Sequence, residues 1–123
     1  MRRPWNVFIV AGLITGCGGP STTTLRYDSP NGDASLTVTS VNYGGAAGFV
    51  RNHIGLEAGG VIRGEIRTLE HLSGHGVRWI TDDKVVFCYV GAMDRGEPRW
   101  IGTVGGRVFE LVLEDRTEQG VCG

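Results

Sequence analysis

Trp100-Ile101-Gly102-Thr103-Val104-Gly105-Gly106-Arg107-Val108-Phe109-Glu110-Leu111-Val112-Leu113 reads as strand, two-residue turn, strand. A Gly-Gly pair supplies the two positive φ angles that a tight hairpin needs, and β-branched and aromatic residues flank it on both sides. The same grammar recurs upstream. Val50, Ile54 and Leu56 alternate with Arg51, His53 and Glu57, Gly59-Gly60 turns the chain, and Val61–Leu69 follows with Ile62 and Ile66 set against Arg63, Glu65 and Arg67. No window from Leu25 onward carries a 3.6-residue apolar repeat.

Further strands fill the remainder. Ser29-Pro30-Asn31-Gly32-Asp33 has turn chemistry, with proline presetting φ and Asn-Gly supplying positive φ. Residues 35–43 place Leu36 and Val38 on one face and Val41 and Tyr43 on the other, so the phase switches near Ser40, as at a bulge or a strand covered on both sides. Val77–Ile80 is short and is turned by Asp82-Asp83. Val85-Val86-Phe87-Cys88-Tyr89-Val90 is apolar throughout, the pattern of a central strand buried on both faces. Residues 70–77 read as the most loop-like interior stretch. The expectation is an all-β domain of about seven strands, a single antiparallel meander forming a sandwich or partial barrel over residues 25–123.

The amino terminus has a different character. Arg2 and Arg3 precede the apolar stretch Trp5–Ile14, which is too short for a bilayer-crossing helix of about 20 residues and suits the apolar region of a signal peptide. It ends in Leu13-Ile14-Thr15-Gly16-Cys17, which resembles the lipobox of bacterial lipoproteins. That resemblance implies removal of residues 1–16, alkylation of the Cys17 thiol by a diacylglyceryl group, and acylation of the freed amine. Two or more acyl chains anchor a protein stably, whereas one binds only marginally. A buried N-terminal strand or helix with an incidental cysteine is the structural alternative. Residues 17–24, the lipidated Cys17 followed by Gly18-Gly19-Pro20-Ser21-Thr22-Thr23-Thr24, read as a tether that spans about 25 Å when extended. Gly18, where retained lipoproteins carry Asp, implies the outer membrane, facing the periplasm, in a cell with two membranes.

A second resemblance rests on Ser29-Pro30-Asn31-Gly32, Gly44-Gly45-Ala46-Ala47-Gly48-Phe49, and Val77-Arg78-Trp79-Ile80-Thr81-Asp82-Asp83 with Val85-Val86-Phe87. Over residues 28–90 this is similar to a group of small bacterial envelope domains. Those domains open with Ser-Pro-Asp-Gly, carry a Gly-Ala-Thr-Thr turn, and continue with an Arg-Trp-aliphatic strand. Ala46-Ala47 stands where that group has two threonines. The likeness implies a β-rich fold and no particular activity.

Composition narrows the chemistry. The net charge is −1 over 123 residues, with one lysine against eleven arginines, so neither a nucleic-acid stripe nor a polybasic membrane patch is present. Glycine makes up 21 residues without a three-residue period, which excludes a collagen-like fibre. With Cys17 acylated, Cys88 and Cys122 remain as an even pair in an oxidising compartment. A bridge between them closes about 35 residues and stabilises by roughly 3–4 kcal/mol on the chain-entropy account. Two free thiols are the alternative.

His71 and His75, four apart beside Glu70, invite a metal reading, with His53 as a third nitrogen. Ser73-Gly74 and Gly76 oppose the helix that would align them. Asp82-Asp83 and Glu114-Asp115 are adjacent pairs that a strand points to opposite faces, so neither is an acid/base couple. Ser73 lacks the nucleophile elbow, and no glycine cluster precedes a phosphate-binding helix. Trp79, Tyr89 and Trp100 are core residues or a contact patch. Arg95, Arg99 and Trp100, at the Met93–Arg99 loop, are the candidate contact residues. The expected function is a non-catalytic envelope lipoprotein without a cofactor, binding membrane lipid through Cys17 and another envelope protein or component. The alternative is a metal-binding protein or metal-dependent hydrolase using His71 and His75.

Overall fold

The computed structural model describes residues 7–11, 21–44, 49–91 and 96–116. Among them are nine strands: β1 (Val7–Ala11), β2 (Ser21–Asp28), β3 (Ala34–Gly44), β4 (Phe49–Ala58), β5 (Val61–Glu70), β6 (Gly74–Trp79), β7 (Lys84–Val90), β8 (Arg99–Val104) and β9 (Arg107–Asp115). Two sheets form, in the orders β1-β2-β3-β4-β5 and β6-β7-β9-β8. The domain is all-β and sandwich-like, as its alternating pattern requires, and it is not a closed barrel.

Both Gly-Gly turns form as read. Gly59 and Gly60 have φ of 58° and 76°, and Gly105 and Gly106 have 59° and 82°. The 29–33 turn closes through backbone bonds Ser29 N to Ala34 O (2.8 Å) and Gly32 N to Ser29 O (2.9 Å). Asn31 Oδ1 accepts from the Asp33 amide at 2.9 Å, the local bond that makes Asn a turn former.

The first sheet is an uninterrupted antiparallel meander; the second is not. β9 lies parallel to β7, from Lys84 opposite Glu110 to Tyr89 opposite Asp115, and antiparallel to β8. The chain leaves β7, places β8 at the sheet edge, and returns through the hairpin to fill the gap. This corrects the simple meander. Its cause is β7 itself, a run too apolar to serve as an edge, which takes β6 on one side and β9 on the other. Val85 and Phe87 face the other sheet, and even the outward-facing Val86 and Cys88 are only 6% and 1% exposed.

Leu36, Val38, Ile54, Leu56 and Leu69 of the first sheet meet Val85, Phe87, Tyr89, Phe109 and Leu111 of the second. Trp79 and Trp100 pack against this core partly buried. The alternation of β4 is as read. In β3 the register shifts between Asn42 and Gly44, further along than the expected switch near Ser40.

In β5 the expected faces are wrong. Ile54 pairs with Arg67 and Leu56 with Arg63, so three residues of β5 bulge opposite Gly55, with Glu65 at φ 49°. The bulge breaks the alternation: Ile62 lies outside, and Ile66 packs on the core. Gly55 makes this possible, because a β-carbon there would stand 2.6 Å from the Arg63 carbonyl oxygen.

β2 begins earlier than the sequence pattern indicates. Ser21–Thr24, read as tether, are strand, paired Ser21 opposite Asn42 through Asp28 opposite Ser35. Threonines are β-branched and fit a pleated surface, and Leu25 and Tyr27 share a face, with Tyr27 packed against the core. Val7–Ala11, within the expected leader, runs antiparallel to β2 as β1.

The two turn glycines separate two effects. Gly106 has open space around its Cα, so Gly106→Ala costs only left-handed backbone strain, about 1–2 kcal/mol. A β-carbon on Gly105 also clashes with the Ala58 carbonyl, so Gly105→Ala lowers stability further. Denaturant midpoints of the two variants will show that ordering.

Candidate interaction surface and the cross-sheet contacts

The registers give the sandwich two distinct ends. Ser21 lies opposite Asn42, Asn42 opposite Val50, and Arg51 opposite Glu70, so the start of β2 shares an end with the 71–73 crossover between sheets. Tyr89 opposite Asp115 puts the end of β9 there too. The turns 29–33, 59–60, 80–83 and 105–106 gather at the opposite end.

At that turn end the sheets are tied together. The Asn31 amide donates to Asp82 Oδ1 at 2.9 Å. Within the second sheet, Arg107 Nη2 anchors the same turn, donating to the Asp82 carbonyl at 3.0 Å and to Asp83 Oδ1 at 2.6 Å. The two Gly-Gly turns abut, since a β-carbon on Gly59 would lie 3.3 Å from Gly105 O. Asp82 and Asp83 thus serve as turn and tie, the structural role their adjacency implies.

Apolar exposure concentrates around these turns. Of the six large exposed hydrophobics among the described residues, Val61, Ile62, Ile80 and Val108 lie within a few residues of the turns; Ile62 is 66% and Val108 61% exposed. Ile62, opposite Glu57, lies on the outer side of the first sheet and Val108, opposite Thr103, on the outer side of the second, so aliphatic side chains rim the braced turns from both sides.

Deeper in the sandwich, Tyr27 of β2 is the principal polar link between sheets. Its hydroxyl shares a hydrogen bond with His75 Nε2 at 2.9 Å, and its carbonyl accepts from Trp79 Nε1 at 2.9 Å. The His75 ring stacks on Phe87 at 5.3 Å between centroids. Burial lowers the His75 pKa, favouring neutral imidazole, and raises that of the Tyr27 hydroxyl.

The sequence candidates fall in separate places. His75 faces inward, His71 is exposed at the crossover with φ 62°, and His53 lies on the outer face of the first sheet, 3.0 Å from Thr68 Oγ1. Among the described residues no group of three or more His, Cys, Asp or Glu could hold a metal ion. Arg99 points outward to an ion pair with Glu110 at 2.6 Å, whereas Trp100 turns inward beneath the Arg63 guanidinium, 5.4 Å from its ring centroid. They are strand neighbours and share no face. Cys88 is disulfide-bonded. Arg95, Cys17 and Cys122 lie outside the described residues.

Sequence reasoning missed the Tyr27–His75 pair, 48 residues apart, and the Arg63–Trp100 stack. For the first, the only local signal was the shared face of Leu25 and Tyr27. No known family, curated protein or solved structure matches the chain.

The buried histidine sets a pH dependence. Its folded pKa lies below the unfolded 6.5, so acid favours the unfolded chain. Stability is fully present above pH 6.5 and falls below it, until the folded-state imidazole itself protonates. Thermal melts between pH 7.5 and 5 will show a loss that shrinks in His75→Phe. Tyr27→Phe removes the shared hydrogen bond at a cost of about 1 kcal/mol.

Proposed function

We propose that this chain is a lipid-anchored bacterial envelope protein whose sandwich is a non-catalytic interaction module, presenting its turn end to another envelope component. The observation that carries the interaction reading is the braced, apolar-rimmed turn end. The anchor reading rests on Arg2-Arg3, the short apolar stretch and the Leu13–Cys17 lipobox. Three residues separate Cys17 from β2, at most about 14 Å of chain. The start of β2 therefore stands close to the bilayer, and the turn end projects away by the ten-residue length of β4, about 30 Å. Gly18 supports outer-membrane residence facing the periplasm where two membranes exist.

The chain has three cysteines, and acylated Cys17 has no thiol left, so Cys122 is the proposed partner of Cys88. Such a bridge fastens the carboxy terminus to β7, the central strand, where an ordinary chain end frays.

Three measurements test this. Cys17→Ser abolishes acyl labelling and leaves the chain uncleaved; retained labelling overturns the anchor. Non-reducing peptide mapping recovers Cys88 joined to Cys122, and Cys122→Ser lowers the melting temperature while membrane association persists. A photocrosslinker at Ile62 or Val108 in the native host yields a discrete adduct that Ile62→Asp with Val108→Asp weakens at least fivefold. Equal adducts from a crosslinker at Arg51, at the opposite end of the sandwich, argue against a turn-end contact.

A further inference from the structure

The sandwich treats its sheet edges unequally. β5 carries Arg63, Arg67 and a bulge with left-handed Glu65, and β8 is a six-residue strand entered through Pro98 and Arg99. β6 is equally short and holds Gly74, Gly76 and Arg78. These are the devices that keep an edge from pairing with foreign strands. β2 has none. Its eight residues pair with β3 without a bulge, and it contains neither glycine nor proline and is rich in β-branched threonine.

In the full chain that edge is filled. Val7–Ala11 lies along it, Val7 opposite Tyr27, Ile9 opposite Leu25 and Ala11 opposite Thr23. The same five residues belong to the stretch read as a cleaved leader. Removing residues 1–16 takes the covering strand away and leaves Thr23–Tyr27 with one side of its backbone hydrogen bonds unmade.

We infer that the outer edge of β2, which β1 fills in the full chain, is a strand-accepting site for an extended apolar segment of another envelope polypeptide once residues 1–16 are gone. The inference rests on the leader reading. The chemistry of the occupant follows from what β2 offers. Main-chain donors and acceptors supply affinity for any extended chain, and side chains at alternate positions supply selectivity. Leu25 and Tyr27 pair with the core residues Val38 and Leu36, so an apolar or β-branched side chain beside them continues an apolar row, and charge is disfavoured. The opposite face carries the Arg26–Glu57 ion pair and the Thr24–Thr39 contact at 3.1 Å, which tolerate polar neighbours. The Val-Phe-Ile-Val-Ala segment already seated there satisfies this description.

The test opens the edge without depending on processing. In an antiparallel ladder successive residues alternate in bonding to one neighbour, so Ile9→Pro with Val10→Pro removes a ladder donor whichever of the two faces β2. The probe is a fluorescent peptide carrying Val7–Ala11 between lysine pairs. The full chain with both prolines binds it saturably and at least tenfold more tightly than the wild-type full chain, whose edge is filled. Binding slows amide exchange at alternate residues of Thr23–Tyr27, while exchange across Val85–Tyr89 reports that the sandwich stays folded. If the double variant fails to fold, the processed chain from the host, verified by mass to begin at Cys17, serves as acceptor. Equal binding to opened and filled chains, no binding to a folded opened chain, or closure of the edge by a second copy overturns the inference. A host-derived chain retaining Met1–Gly16 overturns the leader reading separately, because the opened full chain still reports whether the edge accepts a strand.

Discussion

Burial of β7 on both faces is the constraint on which the architecture depends. A strand with Val85, Phe87 and Tyr89 turned inward, and Val86 and Cys88 scarcely exposed on its other side, leaves no polar face for water. It therefore occupies the interior of its sheet, flanked on both edges. β6 supplies one neighbour by a direct hairpin. The other cannot come from the next strand in sequence, because β9 takes the adjacent place in parallel and β8 moves outside it. The second sheet's mixed topology follows from the composition of one six-residue run, and β2–β5 of the first sheet, none of them comparably apolar, form a plain meander.

Once two sheets face each other, their turns must share space at the end where they meet. Gly59 and Gly105 permit that approach, since a β-carbon on Gly105 would collide with Ala58. Asp82 then serves both sheets, accepting from the Asn31 amide while its carbonyl receives Arg107. The Ser29–Gly32 turn and the Asp82-Asp83 turn thus touch one another in space. Two short motifs fifty residues apart make structural sense as halves of one cross-sheet junction.

How much of this was legible depended on range. Gly-Gly pairs between alternating runs located both hairpins, because a type I′ turn needs positive φ at both centres and little else in the sequence provides it. β7 announced its centrality by composition. The parallel pairing of β7 with β9 had no local signature, since register between non-adjacent strands is settled by which edges remain open. β5 was misphased because a bulge depends on the opposing Gly55 as much as on its own residues. β2 was concealed by four polar residues at its start. Among the site candidates, Arg99 and Trp100 were separable in principle, for neighbours on a strand face opposite ways; reading them as loop hid this. Tyr27 and His75 meet only because β2 and β6 lie on the same side of the sandwich.

That side is where the remaining asymmetry of the molecule resides. Tyr27 bonds inward to His75 and Trp79, while the backbone of its own strand looks outward along the edge that β1 covers. A residue tied to the interior through both its side chain and its carbonyl holds the edge strand in register with the core. Leu25 extends this rigid backing one pair further, and the unbroken pairing with β3 carries it along the whole strand. An edge so braced loses little conformational entropy when a strand is added, because the accepting chain is already extended and fixed. The order that makes the sandwich stable is therefore the same order that makes its least protected edge receptive.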